Sequence, residues 1–212
     1  MALYTVQSCI DFTKILIEEA SDTNVVTENQ LITMVSLAQK WVAVEAGCYQ
    51  SWQDITLTAD ESKYTAPTGT SGVLGLTYDY GDQRGERSLQ QVEPGSIPHP
   101  PDELLPYFWF FNGAEIVVLP KLPEVPSNAT VHVLVNKLPA SLTALTESLV
   151  IPDEFQIVVP YRVAETVAIK DNQIAKQQQL NQKVIELTRR GVAQYSTSSA
   201  IGGMGGPAAP AG

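Results

Sequence analysis

Cysteine, histidine and basic residues are all scarce in this 212-residue chain. Its 2 cysteines, Cys9 and Cys48, are too few for a disulfide framework or a Cys-rich zinc site. The 13 Lys+Arg stand against 23 Asp+Glu, a formal charge of −10. That balance excludes a protein that grips nucleic-acid phosphates over a broad surface. No apolar run approaches the roughly 18 residues that a membrane helix needs; the richest stretch, 31–46, is interrupted by Lys40 and Glu45. The opening residues MALYTVQSCIDFTK have neither the basic head nor the apolar run of a signal peptide. The expectation is a chain made in a reducing cytoplasm.

What the chain does have is 44% apolar residues, close to the globular average of about 45–50%. That suits one compact unit, or a unit with a small second lobe. Residues 8–19 carry apolar positions that fit a short helix. At Thr27 and Gln30 the spacing is that of a capping box, in which each side chain satisfies an orphan amide of a helix start. Leu31, Met34, Val35, Ala38, Trp41 and Val42 then step by three and four along one face, which predicts a helix over 28–52. Cys48 falls on that helix, where a small buried thiol is expected.

From Asp54 to about Pro139 the period is two. The segment is rich in β-branched and aromatic residues and cut by Gly and Pro. It predicts strands at 55–58, 63–66, 73–80, 88–92, 107–111, 115–119 and 130–137. Asn112-Gly113 lies between two of them, a signal for a type I′ hairpin. The helical period returns near Leu149. Pro152 precedes Asp153 and Glu154, the composition of a helix start, and Phe155, Val158, Val159, Val163 and Val167 form a stripe. Pro160 inside that stripe predicts a kink or break. A mostly polar helix follows over 172–194, with Ile174, Leu180, Val184 and Leu187 on one side. The remaining 196–212, rich in Gly, Ala and Pro, is expected to be flexible.

Candidate chemistry is thin. His99 sits between Ser96 and Asp102 in a proline-stiffened loop, but a Ser-His-Asp triad is defined by geometry across a fold, not by local clustering. His132 alternates with Val131, Val133 and Val135 and reads as a surface residue of a strand, not a metal ligand. Gly69–Gly75 lacks the Gly-Lys-Ser/Thr ending of a phosphate loop. In 107–111, Tyr107, Trp109 and Phe111 share one face of a strand and Phe108 and Phe110 the other. One face would meet the core and the other a neighbouring subunit, or a sugar. The charge is unevenly divided. Residues 1–169 hold 8 Lys+Arg and 21 Asp+Glu, net −13; residues 170–212 hold 5 and 2, net +3. A basic C-terminal arm and an acidic body attract each other between copies, or Arg189 and Arg190 simply complement a helix C-terminus.

The order of elements resembles the head-to-tail adaptor (connector) proteins of tailed bacteriophages, over about 27–195. The resemblance rests on a capped helix ending in Gln50-Ser51-Trp52, then Ile55-Thr56-Leu57 and Tyr64-Thr65-Ala66-Pro67. It continues through Glu115-Ile116-Val117-Val118-Leu119-Pro120-Lys121-Leu122-Pro123 and 130–137 with Leu138-Pro139. It ends at Leu149-Val150-Ile151-Pro152-Asp153-Glu154-Phe155 and a Gln/Lys-rich helix. It implies a ring of a dozen copies in the virion neck, assembled in the bacterial host cytoplasm. That ring joins the portal protein to a tail or nozzle protein and lets double-stranded DNA pass without sequence-specific binding. It implies no catalytic residue, cofactor, metal or membrane.

The expected architecture is α+β, a helical bundle formed by the N- and C-terminal helices with an inserted antiparallel β domain. The divisions are 1–53 for the first helices, 54–148 for the β domain, 149–195 for the last helices and 196–212 for the arm. The expected interface residues are Trp109, Phe111, Lys183, Arg189 and Arg190. Rival expectations are a tail terminator or tail-completion protein, a fibre-like surface-binding module, and a small hydrolase using His99.

Overall fold

A computed structural model describes residues 4–18, 26–82, 84–99, 105–126 and 128–201, the last six as backbone. The elements run α1 (Val6–Glu18), α2 (Glu28–Ala46), β1 (Gln50–Thr56), β2 (Lys63–Thr65), β3 (Thr70–Asp79), β4 (Glu86–Ser88), β5 (Gln90–Gln91), β6 (Phe108–Phe111), β7 (Glu115–Leu119), β8 (Thr130–Lys137), α3 (Asp153–Gln156), α4 (Val158–Lys170) and α5 (Ile174–Ile201). The chain is α+β. It divides into a helical unit built from both ends and a β unit, residues 50–138.

In the helical unit, elements from the two ends of the chain share one core. Val6 and Ile10 of α1, Val35 and Val42 of α2, Phe155 of α3, Val163 of α4 and Val184 of α5 are all buried in it. The capping box forms as its spacing predicts: Gln30 N donates to Thr27 Oγ1 and Thr27 N donates to Gln30 Oε1 at 3.0 Å. The predicted end of that helix at 52 is corrected to Ala46. Gly47 adopts the left-handed conformation (φ 57°) and donates its N–H to Val44 O, which terminates the helix in the way glycine permits. Residues 50–52 then pair with β8 as strand, and Cys48 is buried just beyond the helix, not on it.

The apolar face of α2 is wider than its sequence stripe, because Ser36 and Gln39 are buried as well. They face an irregular segment that runs from Pro139 to Pro152. Ser36 Oγ accepts from Leu142 N at 3.0 Å, and Gln39 Oε1 accepts from Val150 N at 2.8 Å. Buried loop amides without a strand or helix partner need such acceptors. Across the segment, Val6 N donates to Glu147 O and Leu149 N to Tyr4 O, which ties the start of α1 to it.

The proline break lies three residues earlier than its sequence position suggested. α3 ends at Gln156 and α4 starts at Val158, so Pro160 occupies the first turn of α4, where its missing N–H leaves no hydrogen bond unmade. The last helix is longer than predicted. α5 reaches Ile201, through the first six residues of the stretch expected to be flexible. Those six residues, Ser-Thr-Ser-Ser-Ala-Ile, hold no Gly or Pro, and the Gly-rich sequence begins only at Gly202; residues 202–212 lie outside the described residues.

The β unit consists of two four-stranded sheets, ordered β1-β8-β3-β4 and β2-β7-β6-β5. All pairs are antiparallel except β5 with β6. Ile55, Leu76, Tyr78, Val131, Val133 and Val135 of the first sheet share a core with Tyr64, Trp109, Ile116 and Val118 of the second. Two sequence expectations are corrected here. The strand predicted at 88–92 is two short strands belonging to different sheets, interrupted at Leu89, whose N–H bonds Leu76 O and whose side chain enters the core. Beyond the Phe111–Ile116 pair, Asn112 N donates to Glu115 O at 3.1 Å, so the turn is centred on Gly113-Ala114 and not on the Asn112-Gly113 pair of the expected type I′ turn. Only Gly113 has positive φ (93°) there, and Asn112 Oδ1 caps the loop by accepting from Ala114 N and Glu115 N.

Candidate assembly surface

The last helix presents the most distinctive surface of the helical unit. Leu180, Val184, Thr188 and Gly191 form its inner face. The helix lies so close to α3 that a Cβ on Gly191 would meet Phe155 Cε1 at 2.7 Å. On the outer side, Ile174, Gln178, Gln182, Ile185, Arg189 and Val192 follow one another at three- and four-residue steps, a continuous stripe on a helix of 3.6 residues per turn. The apolar members are 69%, 43% and 40% exposed for Ile174, Ile185 and Val192. Ile174, which the sequence reading grouped on one side with Leu180, Val184 and Leu187, is therefore the most exposed of them. It sits at the first position of the helix, ahead of the turn that packs inward at Leu180. Other helices of the unit also leave large apolar side chains in solvent, among them Leu37 and Val44, seven residues apart on α2, and Ile169 on α4.

A buried carboxylate holds this helix in place. Glu165 on α4 is 2% exposed and pairs with Arg162 Nη1 at 2.5 Å. Its Oε1 accepts from Asn181 Nδ2 of α5 at 2.8 Å. The Arg162 guanidinium in turn stacks on the Trp41 ring of α2, 4.5 Å from its centroid. A buried charge is tolerated only with such partners, so the network ties α2, α4 and α5 together and fixes which face of α5 points outward.

The residues expected at an interface have different fates. Trp109 is 1% exposed, and its Nε1 donates to Leu89 O at 3.2 Å; the β-unit core accounts for it, and its indole offers no surface to a partner. Phe111 is half-buried against the same core. Lys183 is paired with Glu186 at 2.8 Å. Arg189 and Arg190 are exposed and form no ion pair among the described residues. They lie more than two turns before the end of α5 at Ile201, so complementing the helix C-terminus does not explain them; the dipole effect is confined to the last turn.

The histidines also differ. His99 is exposed, and Asp102 lies outside the described residues. His132 stands on the outer face of the first sheet, opposite the valines as expected, but it is a partnered residue. Its Nδ1 is 2.6 Å from Asp54 Oδ1 on β1, and Nε2 is 3.8 Å from Asp79 Oδ2 on β3. The hydrogen bond to Asp54, with the charges of Asp54, Glu86 and Asp79, raises its pKa above the ordinary value despite the opposing effect of burial. Sequence spacing could not reveal this group, because Asp54 on β1 and His132 on β8 lie far in sequence from each other and from the Asp79–Glu86 pair on β3 and β4. Both cysteines are buried thiols whose pKa is pushed up to about 12, which makes them inert at neutral pH. Among the described residues, no helix is long and apolar enough to cross a membrane.

A protein-family model described as SU10 adaptor protein matches residues 4–203. No curated protein matches the sequence.

Proposed function

Because this chain belongs to the SU10 adaptor protein family, a family of phage adaptors, we propose that it is a virion structural protein that forms a ring between the portal protein and the tail. In this reading the ring, with a dozen copies as its working number, forms part of the channel through which double-stranded DNA passes, and the role is mechanical instead of catalytic. The observation that carries the assembly part is the outer stripe of α5. A helix of 28 residues that keeps Ile174, Ile185 and Val192 in solvent is suited to packing against a neighbouring copy, since burying each such side chain contributes about 1.5–3 kcal/mol. A closed ring uses that surface heterologously, the stripe of one copy meeting a different surface of the next. The net −13 of residues 1–169 and the net +3 of residues 170–212 supply complementary charge for the same contact, and an acidic body does not hold DNA phosphates.

The test is the rotational symmetry of the assembly that contains this chain in purified particles. Twelvefold density directly below the portal is the expected result. Sixfold density farther down the tail identifies a tail terminator, threefold density a fibre, and absence from the particle overturns the structural role.

A further inference from the structure

The group around His132 has the organisation of a metal site, and the role proposed above makes no use of it. On the outer face of the first sheet, Asp79, Glu86 and His132 each offer a ligand atom, and these atoms all lie within 4.8 Å of one another. Their orientations are already set. A carboxylate oxygen 2.6 Å from His132 Nδ1 accepts a hydrogen bond, so Asp54 holds the proton on Nδ1 and leaves Nε2 turned toward Asp79. A carboxylate that fixes the imidazole tautomer from behind is the usual outer partner of a metal-binding histidine. Asp79 is fixed too: its Oδ1 accepts from Gly81 N at 2.9 Å, which leaves Oδ2 facing the histidine.

The register supplies a separate observation. Asp79 and Glu86 are directly opposed on β3 and β4, and like charges in that position destabilise a sheet. Among the described residues neither carboxylate forms an ion pair with a lysine or arginine. A protonated His132 or a bound cation offsets that repulsion, and the two compete for Nε2.

We infer that Asp79, Glu86 and His132 Nε2 bind one divalent transition-metal ion, with Asp54 as the positioning residue behind the imidazole. Zinc ligands sit about 2.0–2.2 Å from the metal, which places neighbouring ligand atoms about 3.4 Å apart in a tetrahedral site. The 3.8 Å between Nε2 and Asp79 Oδ2 therefore closes by a few tenths of an ångström. Glu86 is exposed and reaches the ion by side-chain rotation. One imidazole and two carboxylates suit Zn²⁺ or Mn²⁺ better than a thiolate-seeking ion, with water completing the coordination. Binding takes the Nε2 lone pair, so it displaces the Nε2 proton of an imidazolium and leaves Nδ1 protonated against Asp54. The ion then joins β8, β3 and β4.

The experiment titrates the full, tag-free chain with ZnCl₂ by calorimetry at pH 7.5 and follows the ring nitrogens of His132 by NMR. The expected result is one site per chain with a micromolar dissociation constant and a shift of the His132 Nε2 resonance that leaves Nδ1 protonated. In D79N/E86Q the affinity falls at least tenfold, and lowering the pH from 7.5 to 6 weakens wild-type binding as the proton competes. An unmoved His132 resonance under saturating zinc overturns the inference, as does equal affinity in D79N/E86Q. The resonance is read on the wild-type chain, so it decides the matter even where the variant fails to fold.

Discussion

At the scale of single residues, two positions have consequences that can be measured. Gly191 is the point of closest approach between α5 and α3. A methyl group there would sit 2.7 and 2.8 Å from two carbons of the Phe155 ring, which is fully buried and has no open side to retreat to. Alanine improves helix propensity by about 1 kcal/mol over glycine, but overpacking costs about 1–3 kcal/mol. Gly191→Ala is therefore expected to lower the melting temperature, and adding Phe155→Leu to recover it; a stabilised single variant would refute the close approach. His132 predicts a pH dependence. Its pKa is raised in the fold, first by the hydrogen bond to Asp54 and then by the charges of Asp54, Glu86 and Asp79, so the folded state favours the imidazolium. That stabilisation is complete below about pH 6.5, the value of a free histidine, and is lost as pH rises through the raised value. With a chelator present, the urea midpoint read from tryptophan fluorescence should fall between pH 6 and 8.5. His132→Asn should remove that part of the slope.

At the scale of elements, the ends of helices were legible where a local rule governs them. Thr27 and Gln30 announce the start of α2, and the pair forms the reciprocal hydrogen bonds its spacing requires. The helical reading over 28–52 runs past Gly47, where the helix stops; residues 50–52 pair with the distant strand β8 instead. Strand 130–137 was legible with its true bounds because the alternation of Val131, Val133 and Val135 is complete and its sheet is buried on one face. The 88–92 segment was not, because the transfer between sheets at Leu89 depends on two partners that local pattern does not contain. The last helix gives an element-scale prediction. α5 extends to Ile201, so deleting 196–212 removes its last turns together with the Gly-rich sequence. That deletion should weaken binding to the portal protein in a pull-down while leaving the unfolding free energy within about 0.5 kcal/mol of wild type. Unchanged portal binding would exclude this segment from the contact.

For the whole molecule, composition and the order of elements are informative on their own. The paucity of cysteine, the charge of −10 and the uneven division of that charge are properties of the sequence alone. So are the succession of helix, strands and helix and the resemblance to phage adaptors, and the family match over 4–203 agrees with that resemblance. These survive because they depend on residue type and short-range periodicity, which the chain carries with it into any fold. Which side chains remain on the surface is a different kind of fact. Trp109 read as an interface aromatic and is core. Ile174 was grouped on one side of its helix with Leu180 and Val184, yet it is 69% exposed while those two are buried. Glu165 gave no sign that it would be the buried charge joining three helices. The set of Asp54, Asp79, Glu86 and His132 was invisible, because β8 joins β1 and β3 only through pairings between distant segments. Sequence determined the elements and the family; the tertiary structure alone decided the surface and the His132 group, because both are produced by long-range packing that no local pattern encodes.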